Sequence, residues 1–277
     1  TARVKCIHIN EVKFPMKVFY LALLFSLLVI AASCGKPAES EEKLIVAAAS
    51  DLIPAFRELG TRFEQATGIK ITFNFSSTGI LARQIENGAP VDLFAAANIG
   101  FIDGLEKKGL IIPDTKALYA RGRITLWIAP TNKAEITKLE DLARPEVEKI
   151  SIANPEHAPY GTAAREAFQS LGIWSTVQPK CVFGDNVRHA LQYAEAGEVN
   201  AAIVALSLSV QTNGKWILIP QELHQPLDQA LAVIKGAKRE KEARQFALFI
   251  NGPQGRPIMR KYGFILPGEE PVSAPEK

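Results

Sequence analysis

Residues 44–98 read LIVAAASDLIPAFRELGTRFEQATGIKITFNFSSTGILARQIENGAPVDLFAAAN, and the order of apolar residues within them predicts the fold. Residues 44–49 form a short apolar run that stops at Ser50 and Asp51. Phe56, Leu59 and Phe63 then recur at helical spacing until Gly68. Ile71, Phe73 and Phe75 alternate as in a strand, and Thr78-Gly79 opens a helix carrying Leu81 and Ile85 that ends at Asn87-Gly88. A third strand follows at 91–96, and a helix at 99–108 closes on Gly109. Period-2 and period-3.6 segments separated by turn residues are the signature of βαβ units.

The alternation resumes after residues 123–129 (RITLWIA), with strands at 149–153, 180–183 and 201–205 and helices at 161–171 and 186–196. Residues 227–234 (LDQALAVI) make a further strand, and helices are expected over 238–251 and 254–262. Two such sets predict two α/β lobes built on parallel sheets, with a cleft between them. The expected division is a leader at 1–34, a tether at 35–43, lobe I at 44–121 plus 235–266, lobe II at 122–234 and a loose tail at 267–277.

The chain has 277 residues, 47% hydrophobic and 22% charged, with 32 basic and 29 acidic side chains for a formal charge of +3. That is a globular composition, without the cationic surplus of a nucleic-acid binder or the polarity of a disordered chain. Arg3, Lys5, Lys13 and Lys17 stand against Glu11 alone in residues 1–33, which leaves 28 basic and 28 acidic residues in the remainder. The body is formally neutral, so no whole-protein field draws in an anion.

Lys17 precedes the uncharged run VFYLALLFSLLVIAA at 18–32, followed by Ser33, Cys34 and Gly35. This is the plan of a secretory signal, and the run is shorter than the roughly 20 residues of a spanning helix. Ala31-Ala32-Ser33-Cys34 resembles the lipobox of bacterial lipoproteins, with Cys34 as the acylated N-terminus; an ordinary cleaved signal with an incidental cysteine is the alternative. Residues 1–15 fit no part of the plan, and Met16 is the expected start. Cys181 is then alone in the body and reads as a small core residue rather than a nucleophile.

Ser50-Asp51, Ser76-Ser77-Thr78-Gly79, Pro159-Tyr160-Gly161 and Asp185-Asn186-Val187 each follow a strand and open a helix. A helix N-terminus presents unpartnered N–H groups and about half a positive charge, so it binds anions without a cationic side chain. Ser50, Ser77 and Thr78 add hydroxyl donors. Local N-capping explains any one turn; four at corresponding strand ends point to one shared polyatomic anion. Asp51 is expected to cap its own helix and offer only its N–H. His8 lies in the leader; His157, His189 and His224 have no metal-ligand spacing and read as surface or capping groups, and Arg188 as solvated or ion-paired. The sequence has no G-x-S-x-G, P-loop, G-x-G-x-x-G or H-E-x-x-H motif.

The stretches VAAASDL (46–52), SSTGILARQIENGAPVDLFAAAN (76–98), ANPEHAPYGTAAREA (153–167), DNVRHAL (185–191) and KYGF (261–264) resemble, in order and spacing, the molybdate-binding periplasmic proteins and lipoproteins of ABC importers. That resemblance implies a type II periplasmic-binding-protein fold, two α/β lobes joined by two hinge segments with the oxyanion held between them. It also implies as donors Ser50, Thr78 with Ser77 beside it, the backbone at Tyr160, and the N–H of Val187. Some members carry a ligand tyrosine where this chain has Ala205, and the hydroxyl of Tyr160 is the implied substitute. The implied ligand is molybdate or tungstate, with no cofactor, no side-chain metal ligand and no enzymatic activity. The implied partners are an ABC permease and its cytoplasmic ATPase, with a lipid anchor in the membrane, no nucleic acid and a monomeric exported protein.

Molybdate, tungstate and sulfate are dianions at neutral pH and suit a site made of neutral donors, whereas phosphate keeps a proton and needs an acceptor. Size should separate sulfate from molybdate, because a rigid cage holds a smaller ion with stretched hydrogen bonds. The same fold binding sulfate, thiosulfate or another small anion is the alternative. A secreted hydrolase with Ser50 or Ser77 as nucleophile is a remote one, since no motif supplies a histidine base.

Overall fold

The computed structural model describes residues 43–269. The leader, Cys34, Met16, nearly all of the tether and the tail beyond Glu269 lie outside the described residues. Among the described residues ten strands form two five-stranded sheets. The first has the order β2-β1-β3-β10-β4, made of β1 (Leu44–Ala49), β2 (Ile71–Ser76), β3 (Leu93–Ala96), β4 (Ala117–Gly122) and β10 (Leu227–Val233). The second has the order β7-β6-β8-β5-β9, made of β5 (Ile124–Ile128), β6 (Ile150–Ala153), β7 (Cys181–Gly184), β8 (Ala201–Ala205) and β9 (Lys215–Leu218). The helices are α1 (Ile53–Thr67), α2 (Thr78–Glu86), α3 (Ile99–Lys107), α4 (Pro159–Ser170), α5 (Trp174–Val177), α6 (Val187–Glu195), α7 (Leu206–Ser209), α8 (Glu240–Asn251) and α9 (Gly255–Lys261). Among the described residues no helix is long and apolar enough to cross a membrane.

The apolar run of β1 follows from its place inside the sheet. Val46 and Ala48 pack into the core with Phe56, Leu59 and Phe63 of α1, while Ala47 joins Leu81, Ile85, Phe94 and Ile102 on the opposite face. A strand covered on both sides reads as continuously apolar, not alternating. Pro54 sits in the first turn of α1, where its missing N–H costs nothing, and Gly68 ends the helix at φ 74°. Phe56, Phe63, Phe73 and Phe246 pack edge-on or tilted, with centroids 5.1–6.1 Å apart, and so fix α1 and α8 against the first sheet.

Two features depart from the sequence reading. The sheets are mixed: β10 runs antiparallel to β3 and β4, and β5 antiparallel to β8 and β9. Residues 227–233, expected in lobe II, form a strand of the first sheet, because Ala230–Val233 pair with β3 and Leu227–Leu231 with β4. The chain thus passes between the sheets twice, at Arg123 between β4 and β5 and over 219–226 between β9 and β10. The two crossings lie side by side, since Gly122 pairs with Leu227 and the N–H of Ile219 donates to the carbonyl of Ile124. The tail is also tied at its start: Glu269, expected to be loose, pairs with Arg260 and lies 3.5 Å from Arg256.

Candidate functional site

At the carboxyl ends of β1 and β2, facing the starts of α4 and α6, lies a small cavity of about 10 Å³. Its wall includes Ser50, Asp51, Ser77, Thr78, Tyr160 and Val187, so residues from four separate turns meet in one place. Pockets for drug-sized ligands run to roughly 300–1,000 Å³, so the space left between these side chains is far too small for such a ligand and holds about one water-sized sphere. No lysine or arginine lines it. The first residues of α2, α4 and α6 stand in its wall, and a helix start carries a partial positive charge.

The donors are left free by local bonding. Ser50 is 3% exposed, and its hydroxyl has no hydrogen-bond partner among the described residues. Thr78 Oγ1 accepts from the N–H of Ala97 at 3.1 Å, which leaves its own proton to point elsewhere. Asn186 Oδ1 accepts from the N–H groups of Arg188 and His189 at 3.0 and 3.1 Å, so the cap satisfies the second and third N–H groups of α6 and leaves that of Val187. Pro159 starts α4 and contributes no donor, so the N–H of Tyr160 is the first that this helix presents.

Asp51 does not cap its helix. Its side chain is fully buried; Tyr160 Oη, from the opposite lobe, donates to Oδ2 at 3.0 Å, and Gln229 Nε2, from β10 of the first sheet, donates to the same oxygen at 2.7 Å. Gln229 Nε2 also lies 3.2 Å from Tyr160 Oη, and Ser207 Oγ donates to the Asp51 carbonyl at 2.7 Å. Tyr160 therefore spends its hydroxyl proton on Asp51, where the resemblance assigned it to the ligand. Burial pushes the Asp51 carboxyl up to about 6, with the bonds from Gln229 and Tyr160 offsetting part of that rise. Burial and the neighbouring Asp51 hold Tyr160 well above the usual phenol range, so it stays a neutral donor. Gln229 is the residue that sequence reasoning missed. A fully buried glutamine inside LDQALAV was the available signal, and the bulge between Gln229 and Ala230 aims it at the site.

A second bridge joins the lobes. Ser77 Oγ lies 2.9 Å from His157 Nδ1, and the N–H of Gly79 donates to the His157 carbonyl at 2.9 Å. His157, expected as a surface or capping group, is instead half-buried across the cleft. Burial, then Arg83, lowers its pKa and keeps it neutral. The pair also supplies the serine–histidine contact that no motif foretold, and Ser77 donates to a ligand only when His157 carries its proton on Nδ1. His224 is buried with Nδ1 2.8 Å from the carbonyl of Gln225, and Arg188 pairs with Glu195 at 3.0 Å, as its sequence reading allows. Cys181 is half-buried, its thiol pushed up to about 12 by burial, which leaves it a poor nucleophile. Among the described residues no group of histidine, cysteine and carboxylate side chains could hold a metal ion.

Gly122 sits where β4 leaves the first sheet, and a Cβ there would collide with Tyr160 Oη and approach Gln229 Nε2 to 2.9 Å. Gly122→Ala is expected to displace the Tyr160 hydroxyl and lower stability by about 1–3 kcal/mol, read in urea unfolding. Removing that hydroxyl by Tyr160→Phe should relieve the added cost in a double-mutant cycle.

The model of the bacterial extracellular solute-binding protein family matches residues 44–265. The molybdate-binding protein ModA of Rhodobacter capsulatus is 30% identical over 86% of this chain and 94% of its own, and ModA of Escherichia coli 31% identical over 85% and 93%. The periplasmic molybdate-binding protein of Azotobacter vinelandii superposes with a TM-score of 0.77 at 26% identity, over 81% of this chain and all of that one. With two mixed α/β sheets joined by two adjacent crossings and a match across the whole described body, the chain belongs to the bacterial extracellular solute-binding protein family.

Proposed function

We propose that this protein captures molybdate, and with it tungstate, outside the cytoplasm and delivers the anion to an ABC permease driven by a cytoplasmic ATPase. The observation that carries the reading is the small pocket between the lobes, walled by the hydroxyls of Ser50, Ser77 and Thr78 and by three helix starts, without a lysine or arginine. Ser50, Thr78 and the N–H groups of Tyr160 and Val187 are its donors, with Ser77 contributing as the His157 tautomer allows. Relatives named for molybdate, about 30% identical over most of the chain, support the choice of anion. The protein acts as a carrier and hydrolyses nothing: neutral His157 serves Ser77 as a bridge between lobes. Cys34 is the attachment point of a lipid anchor, and mass spectrometry of the membrane-extracted N-terminus tests it.

Titration calorimetry on the anion-free protein tests the function. Saturable heat with molybdate or tungstate below millimolar concentration is expected, and its absence would sink the reading. Sulfate and thiosulfate as competitors separate this anion from others of its shape. Ligand at a thousandfold excess over Kd should stabilise the fold by about 4 kcal/mol, seen as a higher melting temperature.

A further inference from the structure

The Asp51 carboxylate stands in the wall of a pocket otherwise built to hold a dianion. Of its two oxygens, Oδ2 accepts from Tyr160 and Gln229, while Oδ1 is buried without any hydrogen-bond partner. The charged groups on the packed helices are engaged elsewhere. On α6, Arg188 pairs with Glu195, and His189 lies 3.6 Å from Asp185; on α1, Glu58 pairs with Lys261 and Arg57 is exposed. On α7, Ser207 bonds only the Asp51 backbone carbonyl. The titratable neighbours Tyr160 on α4 and Tyr119 on β4 are both held neutral. No lysine or arginine enters the electrostatic balance at Asp51.

An ionised carboxylate and a dianion in one such pocket repel strongly, since little water screens them. We propose that oxyanion capture is coupled to uptake of one proton, held on Asp51 Oδ1 and donated as a hydrogen bond to an oxygen of the bound anion. The proton comes from solvent: the Asp51 carboxylate becomes a carboxylic acid, no other bond is made or broken, and the anion departs when the proton does. Oδ2 keeps its two donors throughout, so Tyr160 and Gln229 fix which oxygen is left to carry the proton. Asp51 thereby becomes a sixth donor of the site, and the pocket takes an oxyanion with one proton rather than an oxyanion alone. This rests on the oxyanion-binding reading above.

Calorimetry with molybdate at pH 6.5–8.5, in pairs of phosphate-free buffers that differ in heat of protonation, measures the coupling. About one proton taken up per anion is expected at pH 8, falling toward pH 6.5, with Kd weakening about tenfold for each pH unit above 7. Asp51→Asn, which keeps an acceptor for Tyr160 and Gln229 and offers an amide N–H in place of the proton, should show no uptake and a flat Kd. Saturable binding by the native protein with heats independent of buffer, or uptake that persists in Asp51→Asn, would overturn the coupling alone. No saturable heat at any pH would overturn the oxyanion reading itself. The native protein's buffer dependence decides the matter even if the variant does not fold.

Discussion

Replacing Ser50 and Thr78 together by alanine is expected to weaken molybdate binding by roughly 10²–10⁴-fold in titration calorimetry. In the proposed site each hydroxyl donates to a charged acceptor, a bond that contributes about 1.5–3 kcal/mol, and every 1.4 kcal/mol is about tenfold in affinity. The single variants separate binding from folding. The Ser50 hydroxyl has no protein partner, so Ser50→Ala should lose affinity while unfolding stability stays within about 0.5 kcal/mol of the native value. Thr78→Ala should lose both, because it strands the buried N–H of Ala97 at a cost of about 1–3 kcal/mol. Thr78→Ser restores the hydroxyl and should recover most of each loss. Equal affinity in the native protein and the double variant would remove these hydroxyls from the site.

Asp51→Asn is expected to stabilise the protein at pH 7.5 by about 3 kcal/mol. The Asp51 carboxyl moves from its ordinary 3.8 to about 6 on folding, and each pKa unit is about 1.4 kcal/mol. A folded-state value above the unfolded one means that folding favours the protonated acid. That contribution is fully present below about pH 4 and is lost as the pH rises through about 6. The advantage of the variant over the native protein should therefore be largest above pH 6 and shrink toward zero near pH 4, in urea unfolding at both ends. A constant difference would place the effect in packing rather than in the charge. The native protein keeps a destabilising buried carboxylate beside its pocket, the pattern of a group retained for function and not for stability.

Much of the fold was legible because its determinants are local. Gly68 and Gly88 take positive φ where the helices were expected to stop, and the turns after β1, β2 and β7 open helices where their residues suggested. The short strands β4 and β9 were not assigned, since four to six residues give too little periodicity to stand out from connecting segments. The sheet to which β10 belongs could not be read either. Its pairing partners lie more than a hundred residues earlier, and nothing in LDQALAV distinguishes one sheet's edge from the other's interior.

The same division runs through the site. The neutrality of the body, 28 basic against 28 acidic residues once the leader is set aside, already required that an anion be held by hydroxyls, amides and helix ends. The cation-free pocket wall agrees with it. Sequence alone determined most of the strand and helix order and the turns that open helices at the pocket, because capping and periodicity are properties of neighbouring residues. Only the tertiary structure decided that Asp51 faces Tyr160 and Gln229, 109 and 178 residues away, and that Ser77 meets His157 across 80. The Tyr160 and His157 contacts depend on how two lobes close on each other, and the Gln229 contact on which sheet takes β10; both are set by packing between distant segments, which no local pattern encodes.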